Sequence, residues 1–245
     1  MRPVSVRVSK TTFIDGAYQA ILNAILSREF KPGDRLRSKE IAVRLSISRT
    51  PVERALERLA GEGLVEFRPG DGPYVMEPTV RNVLELYDLR LTLELYASSI
   101  AVQRPDPAFL AEFNEKQRAF KLVSGRLGDS FEAYLTVFDA DKAVHQHLFS
   151  ACIGTQARDF YSQISTRIMI AQFAAFGPFF RGDAVAEHMQ IYRAFQKWDA
   201  AAVEHAVTAH IEAARSAFID RAQKHGLEVP TIRTGLTRQD RASAR

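Results

Sequence analysis

Three histidines and an aspartate in the second half of the chain are the residues best able to do chemistry together: Asp141, His145, His188 and His210. Asp141 and His145 are four residues apart, so on a helix they share one face. His188 and His210 stand either side of Trp198-Asp199-Ala200, where Asp199 is suited to cap the start of a helix. If two helices fold back on each other at residue 199, both histidines lie eleven residues from the turn and meet at the same height. Three imidazoles and one carboxylate from three helices suit a borderline divalent cation, zinc first, with nickel or manganese as alternatives. The plainer reading is a scatter of surface or hydrogen-bonded core histidines. Spacing alone favours it, because six histidines offer several such sets. His147 points nearly opposite to His145, and His205 misses the common height. Glu187, beside His188, reads as a solvated carboxylate rather than a general base.

A second constellation lies near the N-terminus, and its chemistry is hydrogen bonding to nucleic acid. Ser48-Arg49-Thr50-Pro51-Val52 opens a helix with a hydroxyl, a guanidinium and a second hydroxyl before the first buried position. Such a start can offer backbone N–H groups to phosphate and the arginine to a base edge. A short helix, Ser38 to Leu45, precedes it, joined by the three-residue turn Ser46-Ile47-Ser48. That is a helix-turn-helix pattern, whose second helix enters the major groove. Ser38 and Ser48 are the expected caps. Lys39, at the start of the first of these helices, is expected on phosphate. After the pair, Leu64 to Arg68 and Pro73 to Val75 read as strands around the turn Pro69-Gly70-Asp71-Gly72, a wing whose Arg68 and Gly70 can reach backbone or minor groove.

The elements that must hold these sets follow from apolar spacing. Phe13, Ala17, Ile21 and Ile25 predict a helix over about 12–28, and residues 1–10 read as a loose arm. Beyond Pro78 the pattern is helical throughout, with segments at about 80–103, 107–123, 129–152, 156–175, 182–198 and 200–225. The expected fold is therefore mainly α: an N-terminal winged helix-turn-helix with a small β-hairpin over 1–78, a C-terminal all-α antiparallel bundle over 79–226, and a polar tail over 227–245.

Composition narrows the classes. No run approaches the roughly 20 apolar residues of a membrane span, and no apolar signal core follows Met1. A single cysteine, Cys152, excludes an intrachain disulfide, and the expected location is the cytoplasm. The net charge of +4 is mild, but its placement is informative. Arg28 to Arg58 holds nine Lys/Arg against five Asp/Glu, whereas all six histidines lie beyond residue 140. One half is charged for a polyanion and the other carries the imidazoles.

Residues 12–76 resemble the winged-helix domain of GntR-type bacterial transcription regulators. The resemblance rests on Leu36-Arg37, Glu40-Ile41-Ala42, Ser48-Arg49-Thr50-Pro51-Val52, Ala55-Leu56, Leu59, Glu62-Gly63-Leu64 and Arg68-Pro69-Gly70. It implies a DNA-facing set of Arg37, Lys39, Ser48, Arg49, Thr50, Arg54, Arg68 and Gly70. This chain has Glu53 then Arg54 where the family has Arg then Glu, which moves that arginine by one position, about 100° around the helix. The second half resembles the FCD ligand-binding domain of the FadR-type subfamily, through Tyr87-Asp88-Leu89-Arg90, Leu93-Glu94, Asp141 with His145, and His188 and His210 22 residues apart. There the resemblance implies that Asp141, His145, His188 and His210 hold a metal. It also implies that Arg90 pairs with an effector carboxylate, against the alternative of an ion pair with Glu94. Arg167 is a weaker candidate of the same kind.

Together these features read as a DNA-binding transcription regulator, active as a homodimer on a double-stranded operator and modulated by a small carboxylate, a hydroxy acid or sugar acid. Two other classes fit the same metal-binding residues: a hydrolytic metalloenzyme using three histidines and an aspartate, and a regulator whose metal is purely structural. The reading taken is that the chain is not an enzyme.

Overall fold

The computed structural model describes residues 10–77, 79–125, 131–177 and 179–230. Most of the expected arm and most of the expected polar tail lie outside them; Lys10, expected in the arm, is instead the first residue of a helix. The described chain is mainly helical, with one two-stranded antiparallel sheet.

The N-terminal half begins with α1 (Lys10–Leu26), whose Ala17, Ile21 and Ile25 recur every fourth residue and bury one face, packing on α3 (Arg49–Gly61). Between them runs α2 (Ser38–Leu45), which buries Ile41 and Ala42. The chain reverses at Ser46, which takes the left-handed conformation at φ 55°. Ser48 is extended and immediately precedes α3, as expected of a cap, but its hydroxyl makes no capping bond. Ser38 is the first helical residue rather than a cap, and Arg37 holds the cap position without a side-chain bond. Pro51 falls in the first turn of α3, where its missing N–H is one the helix leaves unpaired anyway. Val52, Ala55, Leu56 and Leu59 form the buried stripe.

After α3, Gly63 turns the chain at φ 77° into β1 (Val65–Arg68), which pairs with β2 (Gly72–Val75) in the register Val65 to Val75 and Arg68 to Gly72. Arg35 bridges to Tyr74 beside the hairpin.

The second half is helical, within a few residues of the sequence expectation. Thr79 caps α4 (Val80–Val102), Asp106 caps α5 (Pro107–Ser124), and Asp199 caps α9 (Ala200–Lys224) by accepting from the N–H groups of Ala201 and Ala202. The other helices are α6 (Phe131–Leu148), α7 (Gln156–Phe176) and α8 (Ala184–Gln196). The segment expected at 129–152 is shorter, because α6 tightens into a 3₁₀ turn at Phe149–Ala151 before Cys152 becomes extended. Tyr87, Phe113, Phe120, Tyr161 and Phe195 anchor the core of the bundle. A second core fills the winged helix, and it contains Tyr134, Met169, Ile170 and Phe173 from α6 and α7. The two halves therefore share buried side chains. No described helix is long and apolar enough to cross a membrane.

Candidate functional site

α6, α8 and α9 each bring one imidazole to a single interior point. The Nε2 atoms of His145 and His188 are 3.0 Å apart, those of His188 and His210 3.3 Å, and those of His210 and His145 3.1 Å. All three side chains are buried. Asp141, one turn before His145, places Oδ1 3.4 Å from His188 Nε2 and 4.0 Å from His145 Nε2. The three histidines thus converge, with Asp141 beside two of them; Asp199 starts α9, and His188 and His210 are equidistant from it.

Two carboxylates behind the rings decide their tautomers. His145 Nδ1 lies 2.7 Å from Glu94 Oε2, and His210 Nδ1 lies 2.7 Å from Glu187 Oε2. An ionised carboxylate only accepts, so each Nδ1 carries the proton and each Nε2 turns its lone pair to the centre. Two lone pairs then face each other at 3.1 Å. His188 can place at most one N–H between them, and its buried Nδ1 has no hydrogen-bond partner among the described residues. A cation shared by all three nitrogens removes the repulsion. Nitrogens about 2.0–2.1 Å from one ion stand about 2.9–3.4 Å apart for angles between octahedral and tetrahedral, the range seen here. The donor set fits a divalent transition metal, and the second ring nitrogens of His145 and His210 have the carboxylate support such ligands use.

Electrostatics agree. Burial holds the three imidazoles well below the ordinary histidine range, and the charge of Arg90 adds to it, so all three are neutral and able to ligate. Burial also pushes the Asp141 carboxyl up to about 7, against the pull of Arg90. A dication beside it would reverse that shift.

Against this cluster lies a cavity of about 90 Å³, lined among others by Tyr87, Arg90, Asp141, Gln172, Arg181 and His210. Arg90 makes the ion pair with Glu94 and also lines this cavity. Its Nε donates to Glu94 Oε1 at 2.7 Å, while its Nη2 is buried without a partner. Arg181 repeats the pattern, bonding to Glu187 and leaving Nη1 buried and unpartnered. Two orphaned guanidinium donors on one small cavity are chemistry for a carboxylate.

Some expectations are corrected. Arg167 does not line this cavity. Its neighbour Ile168 does, and one residue turns a helix by about 100°. Arg167 instead donates Nε to the carbonyl of Glu62, just past the end of α3, at 3.2 Å. Glu187 is not a freely solvated carboxylate but the partner of His210 and Arg181. His147 does turn away, donating Nε2–H to the carbonyl of Phe109 at 2.8 Å. The roles of Arg181, Glu187 and Glu94 toward the histidines escaped the sequence. One signal for Arg181 was present: it sits just before α8, the helix that carries His188.

In the N-terminal half, Arg37, Lys39, Ser48, Arg49, Thr50, Arg54, Arg68 and Gly70 are all exposed. They sit at the starts of α2 and α3, further along α3, and on the hairpin. Arg49 pairs with Glu53 at 2.8 Å, Arg37 with Glu40 at 3.0 Å, and Arg54 with Glu57 at 2.7 Å. The displaced Arg54 is thus tied along its own helix. Arg68 bonds to Glu66 and lies 4.1 Å from the Tyr74 ring.

Both halves of the chain match known protein families. Residues 13–75 match the family described as bacterial regulatory proteins, gntR family, and residues 85–213, more than half of the chain, match the FCD domain. The chain is 27% identical over 196 residues to the HTH-type transcriptional repressor RspR of Escherichia coli K12, covering 80% of this chain and 84% of that one. It is 37% identical over 79 residues to the Nta operon transcriptional regulator of Aminobacter aminovorans, covering 32% of this chain and 38% of that one. Among solved structures, a GntR transcriptional regulator from Rhodococcus sp. RHA1 superposes with a TM-score of 0.65 at 22% identity, over 85% of this chain and 98% of that one. E. coli McbR/YncC does so with a TM-score of 0.65 at 19% identity, over 85% and 98%. With its helix-turn-helix and its bundle both matched, the chain belongs to the GntR-type regulators that carry an FCD domain, and is a DNA-binding transcription regulator.

Proposed function

We propose that this regulator holds one divalent cation, zinc first, on Asp141, His145, His188 and His210, and that a small carboxylate bound beside it modulates operator affinity. The observation that carries this reading is the triangle of buried Nε2 atoms, two of them with lone pairs turned inward by Glu94 and Glu187. The cation supplies a Lewis-acidic position for one carboxylate oxygen. Arg90 and Arg181 offer their unpartnered nitrogens to the acid, and a cavity of about 90 Å³ limits it to a few heavy atoms, the size of a short hydroxy acid. Tyr134 and Met169 line this cavity and also belong to the core of the winged helix, so an acid that repacks them shifts the reading half. A homodimer places two such halves on a two-fold operator.

The test is calorimetric titration of metal-loaded protein with lactate and tartrate, paired with mobility shifts on operator DNA. Binding of one acid per chain is expected. It should be lost on chelation, weakened at least tenfold in Arg181→Gln (a charged hydrogen bond is worth about 1.5–3 kcal/mol), and accompanied by a change in operator affinity. Acid binding that is indifferent to chelation and to Arg181 would place the effector elsewhere.

A further inference from the structure

A second cavity, of about 400 Å³, lies between the winged helix and the bundle, well apart in size from the about 90 Å³ beside the histidines. Both halves build its wall. Ile25 comes from α1, Leu64 and Val75 from the hairpin and its approach, Val83 and Leu86 from α4, and Ile170 from α7. At its edge Leu89 leaves 52% of its surface exposed. The metal site uses none of these residues.

One cation stands on this apolar wall, and it is held in place. Arg167 anchors its Nε on the Glu62 carbonyl at 3.2 Å. Its side chain passes over Gly63, where a Cβ would fall 2.2 Å from Nε, and Gly63 itself sits at φ 77°. Only glycine satisfies both demands. The two terminal guanidinium nitrogens of Arg167 have no protein partner among the described residues. Asn82 and the exposed Glu85 are the other polar groups on the lining.

Interdomain clefts of this volume, aliphatic with a few fixed polar groups, are where small molecules bind. The wall suits an apolar body, whose burial releases water, and the fixed guanidinium suits a single carboxylate. A short hydroxy acid has no apolar body to offer this wall. A ligand that fills about 400 Å³ cannot enter the cavity beside His210. We propose that the interdomain cavity is a second small-molecule site, for an apolar monocarboxylate, separate from the metal-linked one. Because its wall belongs to both halves, occupancy favours the relative placement in which those walls face each other. Arg167 also touches the carbonyl next to the end of α3, so the ligand's head group lies one hydrogen bond from the recognition helix.

The experiment is calorimetric titration of the full, metal-loaded chain with 2-naphthoate, with 2-naphthylmethylammonium as the same body bearing the opposite charge. One naphthoate per chain is expected to bind, in preference to the ammonium. Binding should be about tenfold weaker in Arg167→Gln, whose exposed position leaves the fold intact, as expected for loss of a charged hydrogen bond. It should be weakened further in Ala171→Leu, which fills the lining. It should persist after chelation and in excess tartrate, so failure of the metal reading would leave it untouched. Naphthoate affinity that is equal in the wild type and Arg167→Gln overturns the proposal. Preference for the ammonium also overturns it, by moving the head group to Glu85. No naphthoate binding at all to the folded, metal-loaded chain overturns it as well.

Discussion

At the residue scale, the site depends on carboxylates that never reach its centre. Glu94 accepts from Arg90 and His145 at once, and Glu187 from Arg181 and His210, so each links an orphaned guanidinium to a ring whose lone pair faces inward. Glu94→Gln keeps the shape but presents an amide that can approach His145 Nδ1 with either end. Metal affinity is expected to fall about 10–100-fold, read by competition with a chromogenic chelator. Unchanged affinity would mean that the ring orientation does not depend on Glu94. Asp141 supplies the pH dependence. Its folded, metal-free pKa of about 7 lies above the ordinary 3.8, so its contribution to stability is present at low pH and lost as pH rises through 7. With a dication bound, the carboxylate is ionised and that loss disappears. The gap in Tm between loaded and metal-free protein, measured by calorimetry at fixed free metal, should therefore widen between about pH 4 and about pH 7 and level off above it. A gap that narrows would contradict the assignment of Asp141. The four candidate ligands were legible through the family resemblance together with helix periodicity, since spacing alone favoured a scatter of unrelated histidines. Glu187, Glu94 and Arg181 were not legible in these roles, because a carboxylate beside a histidine is usually solvated and the contact from α4 to α6 depends on tertiary packing.

At the element scale, α3 and α7 carry the two halves of the mechanism. α3 was readable from the hydroxyls, Pro51 and the stripe Val52, Leu56, Leu59, and its boundaries fall within a residue or two of the expectation. The N-terminal caps of α2 and α3 were less readable. Ser38 and Ser48 make no capping bond, so neither hydroxyl is committed within its helix. Arg49 stands at the open start of α3 and pairs with Glu53. Arg49→Ala should cost about 1–3 kcal/mol of operator binding and relax discrimination, measured by mobility shift on operator and scrambled duplex. Lys39→Ala should instead weaken both duplexes alike and lower the salt slope by about one. Equal wild-type affinity for the two duplexes would remove the claim of sequence reading. α7 shows the limit of pattern reading. Periodicity finds the helix, but it does not say that Ile168 faces the histidine cavity while Arg167 reaches toward α3.

At the scale of the whole molecule, the sequence suggested two halves of different chemistry, and the structure adds that they share a core through Tyr134, Met169, Ile170 and Phe173. That sharing was invisible in the sequence, because apolar residues of a bundle helix carry no mark of which neighbour they bury against. Leu89 and Tyr96, each 52% exposed and seven residues apart on α4, leave an apolar strip on the surface. Self-association is expected, and light scattering in the micromolar range should give a mass well above the 27.5 kDa of one chain. A single-chain mass throughout that range would leave a two-fold operator without its second reading head. The central claim is that a metal at the histidine triangle makes this regulator responsive to a small acid. Its most direct test is metal content per chain by elemental analysis, after zinc loading and desalting, for wild type and His188→Ala, with circular dichroism to verify folding. The account predicts one ion per wild-type chain and a small residual fraction in folded His188→Ala. Folded His188→Ala that retains a full equivalent, or wild type that retains none, would contradict it.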